Sequence, residues 1–259
     1  MNWYEALILG LVQGLTEFLP VSSSGHLEIA NALFGVRSAE SFYFTIVVHG
    51  ATVLSTLFVF WQEILKLIKG SFQFKMNEET KYLVKIGISM IPVVFVGLFF
   101  KDVVENMFSG NLIATGIEFL ITALMLAMAH YIKPKEKDIT YFDSFIIGIA
   151  QAIAVIPAIS RSGATIATGL LLGNRKDEIA RFSFLMVIIP IIGANLMEIV
   201  KGDASASTIS LMVLIIGFLT AFISGYFACK WMIELVKRSK MIWFAIYCAL
   251  AGLLSILLG

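Results

Sequence analysis

The chain has little charge, because 14% of its 259 residues are Asp, Glu, Lys or Arg whereas 59% are apolar. A soluble domain is roughly 25% charged, so this chain has too few polar residues to cover a surface in water. Its mean hydropathy of +0.90 agrees, and a soluble globular protein is excluded. The net charge of +1 leaves no strongly basic face for nucleic acid. The composition therefore implies lipid as the partner.

Cysteine is also scarce. Cys229 and Cys248 lie in apolar runs without metal-type spacing, so they are predicted to be core residues rather than a disulfide or a redox pair. The N-terminus lacks the positive region and the cleavage site of a signal peptide, so we expect the first apolar segment to stay in the mature protein.

Long apolar runs, in contrast, are abundant. A transmembrane helix needs roughly 20 mostly apolar residues. Six runs meet this length, at about residues 42–65, 82–100, 111–132, 182–200, 208–229 and 241–258. Pro92 and Pro190 lie inside two of them and are predicted to kink these helices without ending them.

Two further apolar segments, residues 3–34 and 141–173, are interrupted at their centres. The interruptions are the polar stretches 20–26 (PVSSSGH) and 157–163 (PAISRSG). Each half-segment is too short for a full crossing, which is typical of a re-entrant hairpin. Irregular backbone cannot face lipid, so both loops should be enclosed by protein or line a wet cavity.

The two interrupted segments resemble each other, because Gln13 precedes Pro20 by seven residues and Gln151 precedes Pro157 by six, and each segment is followed by three spans. This predicts one all-α membrane domain, 1–259, of six transmembrane helices and two re-entrant hairpins. Its halves, about 1–133 and 139–259, should be inverted repeats, because three spans separate the hairpins.

The basic residues are distributed unevenly between the two sides of this topology. The side that carries both termini has only Arg37, Lys101 and Lys201, whereas the opposite side has many Lys and Arg residues. The positive-inside rule therefore predicts that both termini lie outside the cytoplasm.

Few ionisable residues remain at membrane depth, and three of them, Glu17, His26 and Arg161, lie at the interruptions. Gln13 and Glu17 are four residues apart and share one helix face. The serines at 22–24, 160 and 162 can cap the half-helices, whose N-termini attract anions. An Arg, a carboxylate, a His and two helix N-termini suit a phosphate better than a carboxylate or a sugar.

Simpler interpretations exist for the same residues. Ser24 and Ser162 are favoured as helix caps, and a structural salt bridge between Glu17 and Arg161 stays open. His49, alone on an apolar helix, is expected to have a packing role. A transporter of a lipid phosphate could use the same inverted-repeat site, whereas a lipid-binding scaffold would leave the buried charges unexplained.

The segments 13–27 (QGLTEFLPVSSSGHL) and 157–165 (PAISRSGAT) resemble the two motifs of the undecaprenyl-diphosphatase family, also called the bacitracin resistance protein family. The resemblance covers essentially the whole chain. It implies hydrolysis of undecaprenyl diphosphate to undecaprenyl phosphate, which recycles the lipid carrier of peptidoglycan synthesis in the bacterial inner membrane.

Two positions depart from the family pattern. Ala158 replaces a glycine, which should restrict the backbone there, and Gln13 takes the amide option, so Glu17 is the one carboxylate on this face.

The resemblance also implies roles for individual residues. The expected catalytic residues are Glu17, His26, Arg161, Ser22 and Ser23, and the expected substrate-binding residues are Gln13, Ser24, Ser160, Ser162 and Thr165. Glu17 is the expected ligand of a divalent cation, Mg²⁺ or Ca²⁺. Arg161 and the helix N-termini would bind the diphosphate, and His26 would transfer protons. Ser22 or Ser23 would be the nucleophile or would position a water. The expected partners are a polyprenyl diphosphate and membrane lipid, and a homodimer stays open.

Overall fold

The structure is a computed structural model that describes residues 1–36, 38–100, 103–104, 111–132, 136–200, 209–238 and 240–259, without the side chains of 38–42, 194, 195 and 197–200. The described residues form eleven helices. They are α1 (Trp3–Phe18), α2 (Ser23–Phe34), α3 (Ser38–Val59), α4 (Trp61–Ser71), α5 (Glu78–Phe99), α6 (Leu112–Tyr131), α7 (Tyr141–Ile153), α8 (Arg161–Leu171), α9 (Lys176–Val200), α10 (Leu211–Lys237) and α11 (Met241–Leu258). The described part of the chain is therefore all-α.

Within the described residues, four helices, α5, α6, α10 and α11, are long and apolar enough to cross a membrane, and the bent pair α3–α4 brings the number to five. Large apolar side chains such as Leu257 on α11 and Leu98 on α5 lie on their outer faces. Such a surface suits lipid and not water. The chain is therefore a multi-pass membrane protein.

The predicted run 42–65 is not one straight span, because the helix breaks at Phe60 and α4 leaves at 72° to the preceding segment. Charged residues on α4 account for the turn. Glu63 pairs with Arg181 at 3.2 Å and Lys66 with Glu79 at 3.5 Å, so α4 lies along its neighbours. The predicted run 182–200 falls within α9, most of whose last side chains lie outside the described part. Both α5 and α9 continue through their prolines, as predicted.

Both interrupted segments form pairs of short helices, α1–α2 and α7–α8, joined at the predicted polar stretches. Local capping explains their starts. Asn2 and Glu5 form a capping box on α1, and Thr140 and Asp143 form one on α7. The hairpin helices end where the backbone becomes irregular, with Ser22 at φ 67° and Ala158 at φ 54°.

The first helix of each hairpin packs closely on a long helix of the other half, α1 on α10 and α7 on α5. Glycine permits the close approach: a methyl group at position 148 on α7 would collide with the backbone of Ser89 on α5. Small residues let membrane helices approach in this way. These contacts bring the two polar loops together inside the helix bundle.

Candidate active site

The centre of the site is the carboxylate of Glu17, in the last turn of α1, whose side chain is 9% exposed. Arg161 Nη2 donates to Oε1 at 2.8 Å, and Ser23 Oγ donates to Oε2 at 2.6 Å. Gln13 Nε2 donates to Oε2 at 3.0 Å. The structure thus brings together four of the predicted residues from three helices, and the predicted shared face of Gln13 and Glu17 is confirmed.

Arg161 and Ser23 reach Glu17 because each is the first residue of its half-helix. Ser22 caps α2 by accepting from the amide of Gly25 at 3.2 Å, and Ser160 caps α8 by accepting from the amide of Gly163 at 3.0 Å. The caps leave other amides of both first turns without partners inside their helices, which is the arrangement that binds anions.

The interpretation of Ser24 and Ser162 as caps is wrong, because Ser22 and Ser160 occupy the cap positions. Ser24 Oγ instead accepts from the backbone amide of Ala158 at 3.1 Å. Ser162 Oγ donates to the carbonyl of Leu19 at 3.2 Å. Each loop thus holds the other through one serine, so the two helix N-termini are fixed next to each other.

Ala158 lies in the left-handed backbone region, at φ 54°, and its side chain is fully buried. A residue with a Cβ is disfavoured there. The backbone restriction expected at Ala158 therefore falls on a strained residue, and the amide of this same residue donates to Ser24.

Thr165 lies one turn after Arg161 on α8. Its hydroxyl donates to the carbonyl of Arg161 at 2.8 Å and lies 2.6 Å from the hydroxyl of Ser183 on α9. Thr165 therefore supports the backbone of Arg161 and links α8 to α9.

His26 lies apart from this cluster: among the described residues, no hydrogen bond or ion pair joins it to Glu17 or Arg161. Its Nδ1 faces the carbonyl of Ser22 at 2.6 Å, and its Nε2 lies 2.6 Å from the hydroxyl of Tyr247 on α11. A carbonyl can only accept, so Nδ1 carries the hydrogen and Nε2 is left to accept from Tyr247.

Sequence reasoning missed His49, whose Nε2 lies 3.6 Å from Glu17 Oε2. Its Nδ1 donates to the carbonyl of Thr45 at 2.9 Å. A signal was present, because Thr45, His49, Thr52 and Thr56 recur at helical spacing and form a polar stripe on an apolar helix. The expected packing role is therefore incomplete, since His49 adjoins the buried carboxylate.

Few side chains of the described residues could act as ligands of a cation at this site. Among the described residues no group of three or more His, Cys, Asp or Glu side chains could hold a metal ion. The Oε1 atom of Gln13 is buried and has no hydrogen-bond partner in the described part of the chain. It could join Glu17 as an oxygen ligand. Mg²⁺ commonly takes one or two protein carboxylates and completes its shell with phosphate oxygens and water, so these two side-chain oxygens fit part of such a shell.

Comparison with known proteins identifies the family of the chain. The model of the family described as bacitracin resistance protein BacA matches residues 6–254. The chain belongs to the BacA family. Undecaprenyl-diphosphatase of Parabacteroides distasonis is 58% identical to this BacA-family chain over 260 residues, covering 99% of the chain and 98% of the relative. Undecaprenyl-diphosphatase of Bacteroides fragilis is 56% identical, covering 100% and 99%. The protein of the same name from Carboxydothermus hydrogenoformans is 42% identical, covering 100% and 98%.

Proposed function

We propose that this chain is an undecaprenyl-diphosphatase of the bacterial inner membrane, an acid anhydride hydrolase that releases inorganic phosphate from undecaprenyl diphosphate. The product, undecaprenyl phosphate, is the lipid carrier of peptidoglycan synthesis, and its recycling confers bacitracin resistance. Relatives with this name match nearly the full length of the chain. The observation that carries the proposal is the buried cluster of Glu17, Arg161 and Ser23 where two helix N-termini meet.

Arg161 and the first turns of α2 and α8 are the proposed diphosphate-binding groups. A guanidinium presents several N–H groups in a fork that matches phosphate oxygens, and helix N-termini favour negative charge. Phosphoryl transfer depends mainly on such positioning and charge neutralisation. Ser24 and Ser162, which link the two loops, position these groups.

Ser23 is the proposed nucleophile, because its hydroxyl already donates to a carboxylate, which is the arrangement of an activated nucleophile. Ser23 Oγ attacks the terminal phosphorus, the bond from that phosphorus to the bridging oxygen breaks, and undecaprenyl phosphate leaves. Glu17 takes the hydroxyl proton and passes it to the leaving oxygen. Ser22, whose side-chain oxygen already caps α2, is the less suitable nucleophile.

His26 is the second proposed acid–base group. The carbonyl of Ser22 keeps the hydrogen on Nδ1, so Nε2 can exchange a proton with the Tyr247 hydroxyl that lies 2.6 Å away. Glu17 and Gln13 would hold Mg²⁺ or Ca²⁺, which would neutralise charge on the diphosphate.

The proposed architecture is six spans and two re-entrant hairpins in two inverted repeats, with both termini outside. Paired contacts support it. Ser22 lies 3.3 Å from Ser24, and Ser160 lies 3.3 Å from Ser162, each pair opening a half-helix. Gln13 and Gln151 are separated by the same number of residues as Ser22 and Ser160. The packing of α1 on α10 and of α7 on α5 follows the same symmetry.

The test is release of inorganic phosphate from undecaprenyl diphosphate by the protein in detergent, with each divalent ion and with EDTA. Arg161→Lys keeps the charge beside Glu17 but loses the fork, so we expect phosphate release to fall by about 10²-fold or more while the protein stays folded. Full activity of this variant would contradict the role of Arg161. No phosphate release by the wild-type chain with any cation would favour a lipid-phosphate transporter.

A further inference from the structure

A small cavity lies beside Glu17, between α3, α7, α8 and α9. Its polar lining includes Glu17, Arg161, Thr165, Ser183 and Gln151. Its volume is about 20 Å³, which is enough for one water molecule. Ser23 is not among the lining residues, so the cavity adjoins the carboxylate from a different side than the proposed nucleophile does.

Gln151, on α7, is the unexplained residue of this cavity. Its side chain is 1% exposed, and neither Nε2 nor Oε1 has a hydrogen-bond partner among the residues that the structure describes. A buried carboxamide without partners is destabilising, and native proteins rarely leave one unpaired. The position therefore indicates a small polar ligand that both donates and accepts.

The hydroxyl groups that line the cavity indicate which kind of ligand it can bind. Four of them donate their single hydrogen to backbone carbonyls: Thr52 to His49, Thr56 to Thr52, Ser162 to Leu19 and Thr165 to Arg161. They consequently present only lone pairs to the cavity. The cavity has room for one water molecule and not for a phosphate. Water can donate two hydrogens to these lone pairs and accept one from Gln151.

We propose that this cavity holds the hydrolytic water and that Gln151 is a positioning residue for it. The inference rests on the proposed function and assigns its second step. The water oxygen attacks the phosphorus of phosphorylated Ser23, and the bond between that phosphorus and Ser23 Oγ breaks. Glu17 takes a proton from the water and returns it to Ser23 Oγ, so inorganic phosphate leaves and the free enzyme is restored.

The experiment uses Gln151→Met, which keeps the length of the side chain and removes its hydrogen-bonding groups. The full-length protein in detergent is supplied with undecaprenyl diphosphate and quenched in acid, and phosphorylated Ser23 is measured by mass spectrometry. We expect kcat for phosphate release to fall on the order of 10²-fold, KM to change by less than about twofold, and phosphorylated Ser23 to accumulate. A merely structural role would not produce the phosphorylated serine.

Two further variants provide a second test and a control. Gln151→Ala leaves space for an additional water in place of the amide, so its kcat should lie between those of wild type and Gln151→Met; this variant decides the question if the methionine prevents folding. Ser255→Ala removes a buried hydroxyl that donates to the carbonyl of Leu112, away from the cavity, and should keep wild-type kcat.

Either of two results would overturn the proposal: wild-type turnover in both Gln151 variants, or loss of turnover without phosphorylated Ser23. Failure of the proposed function looks different, because the wild-type chain would then release no phosphate at all.

Discussion

Removal of the positive charge beside Glu17 should destabilise the protein. Arg161→Leu leaves a carboxylate whose side chain is 9% exposed without its ion-pair partner at 2.8 Å. Breaking a buried pair by removing one partner costs about 3–5 kcal/mol. The Arg161 side chain is 26% exposed, and Ser23 and Gln13 continue to donate to the carboxylate. We therefore expect the lower end, about 3 kcal/mol.

A double variant separates this cost from lost packing. Glu17→Gln with Arg161→Leu contains no unpaired charge, so it should be more stable than Arg161→Leu alone by about 2 kcal/mol. The assay is thermal unfolding in detergent, where the single variant should lose roughly 6–12 °C if each kcal/mol shifts the midpoint by about 2–4 °C. Equal midpoints for Arg161→Leu and wild type would refute the reasoning, as would a double variant no more stable than the single one.

Two other predictions concern packing and proton transfer. Gly148→Ala places a methyl group against the backbone of α5 and should destabilise the protein by about 1–3 kcal/mol. The control is Gly87→Ala, whose added methyl group meets nothing within 4 Å and should not change stability. Equal unfolding midpoints for the two variants would show that α7 and α5 are not in close contact. Tyr247→Phe removes the hydroxyl that faces His26 but keeps the ring stacked on it, so kcat should fall by about tenfold, less than the 10²-fold or more expected for His26→Ala. An unchanged kcat in Tyr247→Phe together with an inactive His26→Ala would assign no role to the tyrosine.

The fold was predictable where local chemistry decides it. A run of apolar residues marks a membrane helix by its length, and the clusters of proline, serine and glycine at 20–26 and 157–163 interrupt the helix. A serine cap at each interruption was predictable, because a cap depends on neighbouring amides, but the choice of serine was not: the caps are Ser22 and Ser160 and not Ser24 and Ser162. The break at Phe60 was not predictable in this way, because α4 turns to meet charges on α5 and α9.

The residues of the candidate site likewise fall into two groups, those that the sequence predicts and those that only helix packing brings together. Hydropathy and spacing alone single out Glu17 and Arg161, because charges at membrane depth are costly and therefore conspicuous. The pairing of Glu17 with Arg161 depends on helix packing between residues 144 apart in the chain. Only the tertiary structure places His49 beside Glu17, turns Ser24 and Ser162 into links between the loops, and sets His26 against Tyr247.

Composition and local patterns predict that the chain lies in a membrane, where its helices are interrupted and which charges remain inside, because each of these depends on residues close together in the chain. Helix packing sets which side chains contact the carboxylate and which carboxamide, among the described residues, has no partner in a cavity. Those contacts arise when α1 packs on α10 and α7 on α5, and hydrogen bonds form only between groups that such packing brings within about 3 Å.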